Sequence, residues 1–217
     1  APLASGVVID STVAPEHAKS FEVGAKFDAP GGLTGTVALF DIKKRNVLVS
    51  QYNSTTNLTE WRTSGAARSR GIEVDVAGKI NRQWSGIASL ALMNAKITED
   101  PLYAGKLLWN APKQTASLSA VYDAGNVFGG QGRLRLGGGV QYVGQRPGDS
   151  ANSFWLPSYT VVNAFATYDT RISGHKTRFQ LNVKNLFDRT YYPSSVNTYG
   201  VAIGDPRQVL FMTTVEF

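Results

Sequence analysis

Two histidines, His17 and His175, come first in a search for chemistry, because imidazole is the side chain best suited to proton transfer near neutrality. His17 sits in an opening stretch with no clear periodicity and His175 in a short turn. An up-and-down run of strands between them puts the two at opposite ends, so they cannot share a site. The 217 residues include no cysteine, and no His/carboxylate spacing has the pattern of a metal site. Gly129-Gly130-Gln131-Gly132 is a turn without the flanking helix that a phosphate cradle needs. The expectation is a protein that is not an enzyme and holds no cofactor or metal of its own. What remains is a set of rings and guanidinium groups. Tyr52, Trp61, Tyr103, Trp109, Trp155 and Tyr199 lie in the long polar stretches between periodic segments, with Arg62, Arg68, Arg70 and Arg146 in or beside them. Aromatic rings supply large contact area at low entropic cost, although a single ring is also what ordinary loop packing places there.

Composition narrows the class of partner. The formal net charge is +6, from 22 Lys+Arg against 16 Asp+Glu. The basic residues are scattered and form no run, which argues against nucleic acid. No apolar stretch approaches the roughly 18 residues that a membrane-spanning helix requires. A hydrophobic content of 42% and a mean hydropathy of -0.15 suit a soluble domain, but equally a transmembrane β-barrel, in which every second residue is polar. The N-terminus (APLASGVVID) has no basic start followed by an apolar core, so it does not read as a signal peptide.

The elements that must position these groups are strands. Residues 1–19 read as loop. Phe21, Val23, Ala25 and Phe27 alternate with Glu22, Gly24 and Lys26 in a first strand over 20–29, and Pro30-Gly31-Gly32 turns it. A second strand returns over 33–46, and 47–68 reads as a long polar loop. Strands follow over 69–80, 84–98, 112–123, 132–145, 158–171 and 176–187. The ninth, Arg207 to Phe217 (RQVLFMTTVEF), sets Val209, Phe211, Thr213, Val215 and Phe217 on one face.

Two regularities go beyond any single strand. Connections alternate between turns of a few residues and segments of about a dozen to twenty, the signature of an up-and-down transmembrane barrel. The more apolar faces of the strands also place Phe27, Trp84, Tyr122, Tyr168 and Phe217 together beside the short turns, as an aromatic girdle at a membrane interface. Phe21 and Tyr142, with Tyr191 or Tyr192, offer a weaker girdle at the other end. The opposite faces carry Glu22, Lys26, Glu73, Asp75, Arg133, Arg135, Arg178, Gln180, Asn182 and Lys184, which suits a hydrated or plugged lumen. Nine strands is an odd count, whereas single-chain bacterial barrels usually have an even one. The chain is therefore expected to be part of a larger barrel.

The motifs SFEVGAKFD with ALFDIKKRNV, SRGIEVDVAGKI, YVGQRP, VKNLFDRTYY and GDPRQVLFMTTVEF resemble TonB-dependent outer-membrane receptors, in particular the ferric-siderophore receptors. The resemblance runs from about Ser20 to Phe217. Asn185-Leu186-Phe187-Asp188 and the terminal Phe217 are its most specific pair. It implies an all-β, antiparallel up-and-down transmembrane barrel, of which residues 1–217 are a C-terminal portion of about nine strands out of 22. A plug domain and a TonB-contacting segment are implied outside these residues. So is a location in the bacterial outer membrane, with TonB, the barrel-assembly machinery and lipopolysaccharide or other outer-membrane lipid as partners. The implied function is uptake of a ferric siderophore, iron arriving already chelated, with the six rings named above as candidate ligand contacts. The last strand, with Val209, Phe211, Thr213, Val215 and Phe217, resembles the family's assembly signal. A passive pore, a receptor for cobalamin or an oligosaccharide, and a soluble β-sandwich are the alternatives.

Overall fold

The computed structural model describes residues 7–9, 14–53, 58–197 and 199–217. Nine long strands cross back and forth: β1 His17–Ala29, β2 Leu33–Asn53, β3 Leu58–Lys79, β4 Trp84–Glu99, β5 Gln114–Val127, β6 Gly132–Val143, β7 Tyr159–Ile172, β8 His175–Lys184 and β9 Gln208–Glu216. Each pairs antiparallel with its neighbour in sequence, from β1 at one edge to β9 at the other. The connections β1–β2, β3–β4, β5–β6 and β7–β8 are short turns on one side, and the other side carries the tip of the β2–β3 hairpin and the longer loops β4–β5, β6–β7 and β8–β9.

Nothing packs as a second layer on this sheet among the described residues, and the surface shows it. The accessible area is 14281 Å², whereas a compact protein of this mass would expose about 9,700 Å². A soluble sandwich buries one face of each sheet against the other, and no such burial exists here. Instead the register joins one residue of each strand into continuous bands. Val23, Leu39, Ile72 and Leu92 stand directly opposite one another across β1 to β4. Leu118, Val140 and Val162 continue that face across β5 to β7, as do Leu181 and Phe211 on β8 and β9. Val23, Leu39, Leu118 and Phe211 are each more than half exposed, a cost in water and the required surface in lipid.

The rings expected to form a girdle, Phe27, Trp84, Tyr122, Tyr168 and Phe217, lie toward the short-turn ends of their strands. Phe27, Trp84 and Phe217 are exposed, the Trp84 and Tyr122 rings lie 5.0 Å apart, and Phe217 stands 5.1 Å from His175. Phe128, in the β5–β6 turn, adds a ring edge-on to Tyr168 at 5.7 Å. Phe27 lies across Gly35, its register partner. A Cβ on Gly35 would fall 2.1 Å from the Phe27 ring. We expect Gly35→Leu to destabilise the folded protein by on the order of 1–3 kcal/mol, read as a lower urea midpoint, with Phe27→Ala restoring part of the loss in the double variant. Equal stability of Gly35→Leu and the native protein would refute this packing.

The structure revises the reading of 47–68 as a loop. Apart from residues 54–57, which lie outside the described ones, this stretch is strand, as β2 and β3 continue their ladder from Val47↔Gly65 to Asn53↔Leu58. Where a hairpin rises beyond the membrane, both faces meet water. Hydrophobic alternation then vanishes although the backbone pairing persists. The opening stretch was likewise read as loop up to residue 19, yet β1 starts at His17, and Val7–Ile9 pairs parallel with Thr59–Trp61. Residues 1–6 and 10–13 lie outside the described ones.

Candidate functional site

The opposite face of the sheet is polar and internally paired. Asp169 on β7 accepts from Arg135 Nη2 at 2.7 Å and from Arg178 Nε at 2.5 Å, one cation from each flanking strand. Arg133 Nε donates to Asp123 Oδ1 at 3.1 Å, and Ser89 Oγ to Asp75 Oδ1 at 2.6 Å. Opposite charges facing across strands hold the wall together while leaving a hydrated lumen surface.

On the loop side, three connections are tied into one platform. Asn110, at the end of the β4–β5 loop, takes a left-handed backbone conformation, φ 58°, which asparagine tolerates better than most residues. Its backbone N–H donates to Pro147 O at 3.0 Å in the β6–β7 loop. Its side-chain amide pairs with the backbone of Ser195 in the β8–β9 loop, donating at 2.9 Å and accepting at 3.1 Å. Ser195 is buried. Its hydroxyl donates to Gly148 O at 2.6 Å and accepts from Trp109 Nε1 at 2.8 Å. Asn152 makes a second tie, its amide accepting from Leu107 N at 2.9 Å and donating to Leu107 O at 3.0 Å.

Arg146 is the anchor of this platform. It is 1% exposed, and its guanidinium donates to Tyr192 O and lies 5.3 Å over the Tyr159 ring. Burial pushes its pKa below the ordinary arginine value. Tyr191 packs tilted against Tyr159 at 4.7 Å and covers Gly204, where a Cβ would meet the ring at 2.2 Å. Tyr191 therefore belongs to the loop platform and not to a second girdle. Below it, Asn185 closes the base of the β8–β9 loop. Its amide donates to Arg189 O at 2.9 Å and Asp205 O at 3.0 Å and accepts from Arg189 N at 2.9 Å. Asp188 of the same Asn-Leu-Phe-Asp motif accepts from Arg207 N at 2.8 Å.

The six candidate rings fall in four places. Trp61 sits on β3 opposite Ser50 and Tyr52 on β2 opposite Thr59, so they ride on the raised hairpin, and the Tyr52 side chain lies outside the described residues. Trp109 and Trp155 flank the platform. Trp109 is 39% exposed despite its tie to Ser195, and Trp155 is 42% exposed on a short pair with Pro147. Tyr103 is half-buried in a turn whose N–H groups Asp100 caps at 2.8 Å. Tyr199 is 98% exposed.

The arginines separate too. Arg146 is sealed in, Arg68 pairs with Asp41 through Nε at 2.8 Å, Arg70 is exposed, and the Arg62 side chain lies outside the described residues. Sequence reasoning missed Asn110, Asn152 and Ser195, and singled out Asn185 only as part of a motif. The available signal was asparagine at element ends, where left-handed backbone is needed. Among the described residues, no group of three or more His, Cys, Asp or Glu converges.

One sheet with a lipid-facing apolar band, a charged lumen face and an interlinked platform of loops on one side is a wall of an outer-membrane β-barrel. Residues 2–186 match the family described as TonB dependent receptor-like, beta-barrel, and the chain belongs to it. It is 38% identical over 208 residues to the metal-pseudopaline receptor CntO of Pseudomonas aeruginosa, covering 94% of this chain and 28% of that protein. It is 36% identical over 209 residues to the ferrichrome outer membrane transporter/phage receptor of Escherichia coli K12, covering 94% of this chain and 27% of that protein. Among solved structures, the ferric preacinetobactin receptor BauA of Acinetobacter baumannii superposes with a TM-score of 0.79 at 25% identity, over 92% of this chain and 29% of the other. The ferric citrate transporter FecA does so at 0.74 and 26% identity, over 92% and 31%. The chain thus spans less than a third of these proteins' lengths.

Proposed function

We propose that the chain forms part of the barrel, the C-terminal nine of 22 strands, of a receptor that takes up a ferric siderophore across the outer membrane with energy relayed by TonB. The observation that carries this reading is the platform. Three long loops are fixed to one another by Ser195, Asn110 and Arg146, and they hold Trp109, Trp155 and Tyr199 in the open. A binding surface pre-organised in this way loses little entropy on capturing a bulky chelate. The named ligands of CntO, the ferrichrome transporter and BauA, all metal chelates, support the same class. TonB and the plug would act through segments outside these residues, and the paired lumen wall around Asp169 offers the plug a polar face. The ligand passes through unaltered, with no chemistry performed on it.

The experiment is a titration of purified full-length receptor with ferric hydroxamate, ferric catecholate and ferric citrate chelates, read by tryptophan fluorescence. At least one is expected to saturate with a Kd of about 1 μM or tighter, roughly 8 kcal/mol of binding, and Trp109→Ala together with Trp155→Ala should weaken it. Saturable binding of cobalamin or an oligosaccharide with no response to any chelate would move the assignment to those ligands. Large steady conductance in planar bilayers would assign a passive pore.

A further inference from the structure

Below the loop platform, on the lumen face, β5 to β9 surround a recess of about 530 Å³. Small-molecule sites run to about 300–1,000 Å³. Strand register fixes where it lies. Ser119, Gly139 and Asn163 form one row, and Val121, Gly137, Phe165, Asn182 and Leu210 the next, on the same face as Asp169 and Arg178. Lys184 and Gln208, register partners at the loop-side ends of β8 and β9, close its upper rim beside Asn185. The Phe165 ring lies over Gly137, where a Cβ would fall 2.4 Å from it, so glycine there lets the wall recede.

The lining is chemically one-sided. Val121, Phe165 and Leu210 supply apolar wall, Leu210 being more than half exposed. No carboxylate is among the lining residues. The oxygens of both asparagines are already used. Asn163 Oδ1 accepts from Asn185 N at 2.9 Å, and Asn182 Oδ1 accepts from Gln180 Nε2 at 2.9 Å. What remains of each amide is its pair of N–H donors. Among the described residues no carboxylate pairs with the Lys184 ammonium.

A polypeptide segment laid over this wall would bring backbone donors as well as acceptors, and most of its N–H groups would find no acceptor here. A ligand whose periphery carries acceptor oxygens without donors fits better. A metal held by hydroxamate, carboxylate or catecholate groups presents such oxygens.

We propose that the recess is a second, weaker site for the metal chelate, filled after the chelate leaves the rings of the platform. Asn163, Asn182 and Lys184 donate to its oxygens, while Phe165 and Leu210 pack against its hydrocarbon. This second site presupposes that the chain is part of a chelate receptor.

The test is equilibrium dialysis of full-length receptor against the iron-labelled chelate that saturates in the titration above. Two classes of site are expected, the second at least about tenfold weaker than the first. Asn182→Asp with Lys184→Glu puts acceptors where donors stood and should weaken the second class by about tenfold or more, leaving the tight class unchanged. A single class in the native receptor overturns the proposal while the receptor reading stands, and so does a second class that the double variant leaves unaltered. No binding of any of the three chelates removes both.

A second measurement needs no variant. Acetylation of Lys184 in native full-length receptor, with Lys176 as reference, should slow severalfold once the chelate saturates the weaker class, and should not slow when only the tight class is filled. Equal rates overturn the proposal. So does a Lys184 that is already unreactive without chelate, since another part of the full chain would then fill the recess.

Discussion

Replacing Arg146 by methionine in the full-length receptor is expected to weaken chelate binding by at least about tenfold, or roughly 1.4 kcal/mol, while leaving the lipid-embedded sheet intact. Methionine fills most of the volume but supplies no donors. Its introduction leaves Tyr192 O without its partner, and an unsatisfied buried carbonyl costs about 1–3 kcal/mol. The cation over the Tyr159 ring is lost as well, worth about 2 kcal/mol where desolvated. Against this stands relief of burying a guanidinium that no carboxylate neutralises, which is why the penalty should appear locally and not as global unfolding. The β8–β9 loop should loosen first, since Tyr192 and its neighbour Tyr191 are what Arg146 and Tyr159 hold. Titration with the best-binding chelate measures the affinity, and limited proteolysis within 190–205 reports the loop. Arg146→Lys should behave like Arg146→Met, because an ammonium cannot reproduce the planar fork. Native affinity together with native protease resistance in Arg146→Met would show that the platform does not depend on this residue.

Replacing Phe217 by serine is expected to act at the other end of the molecule, and on assembly in place of binding. Phe217 is fully exposed, and among the described residues its ring contact is His175 at 5.1 Å. The fold buries almost none of it, so what it contributes must come from the membrane interface, where aromatic rings are favoured. It extends the face of Val209, Phe211, Thr213 and Val215, whose register partners are Val183, Leu181, Phe179 and Thr177. Phe211 also stacks on Phe179 at 6.2 Å. The far edge of β9 has no partner among the described residues, and unpaired backbone groups cannot enter lipid uncompensated. Delivery of this strand to a pairing partner is therefore the step at which Phe217 should matter. Folded receptor in the outer membrane, measured by the heat-dependent shift of its gel mobility, should fall severalfold in Phe217→Ser. Chelate affinity of the assembled fraction should be unchanged. Native amounts of folded receptor would remove Phe217 from the assembly signal.

The two predictions differ in how far the sequence foresaw them. Phe217 and its ladder are legible as alternation, because a strand in lipid shows its environment every second residue. Arg146 is not. In the sequence it is one of four arginines near loops, and only the fold shows that Arg68 is paired, Arg70 exposed and Arg146 enclosed. The hairpin beyond Val47 was illegible for a different reason. Water on both faces removes the hydrophobic period while backbone hydrogen bonds continue to pair Val49 with Arg62 and Tyr52 with Thr59.

By itself, the sequence determined the architecture: nine alternating strands, short turns on one side, an apolar outside, a charged inside and aromatic rings at the turn end. Those properties are local, since each strand faces lipid on one side and the lumen on the other, and the environment is written into every second side chain. The tertiary structure alone decided which loop residues meet. Asn110 finds Ser195, Asn152 finds Leu107 and Arg146 finds Tyr192 across separations of 85, 45 and 46 residues. Such contacts follow no periodicity, because they depend on strand register summed across the sheet. That same register brings Val121, Phe165, Asn182 and Leu210, from four separate strands, around a single recess.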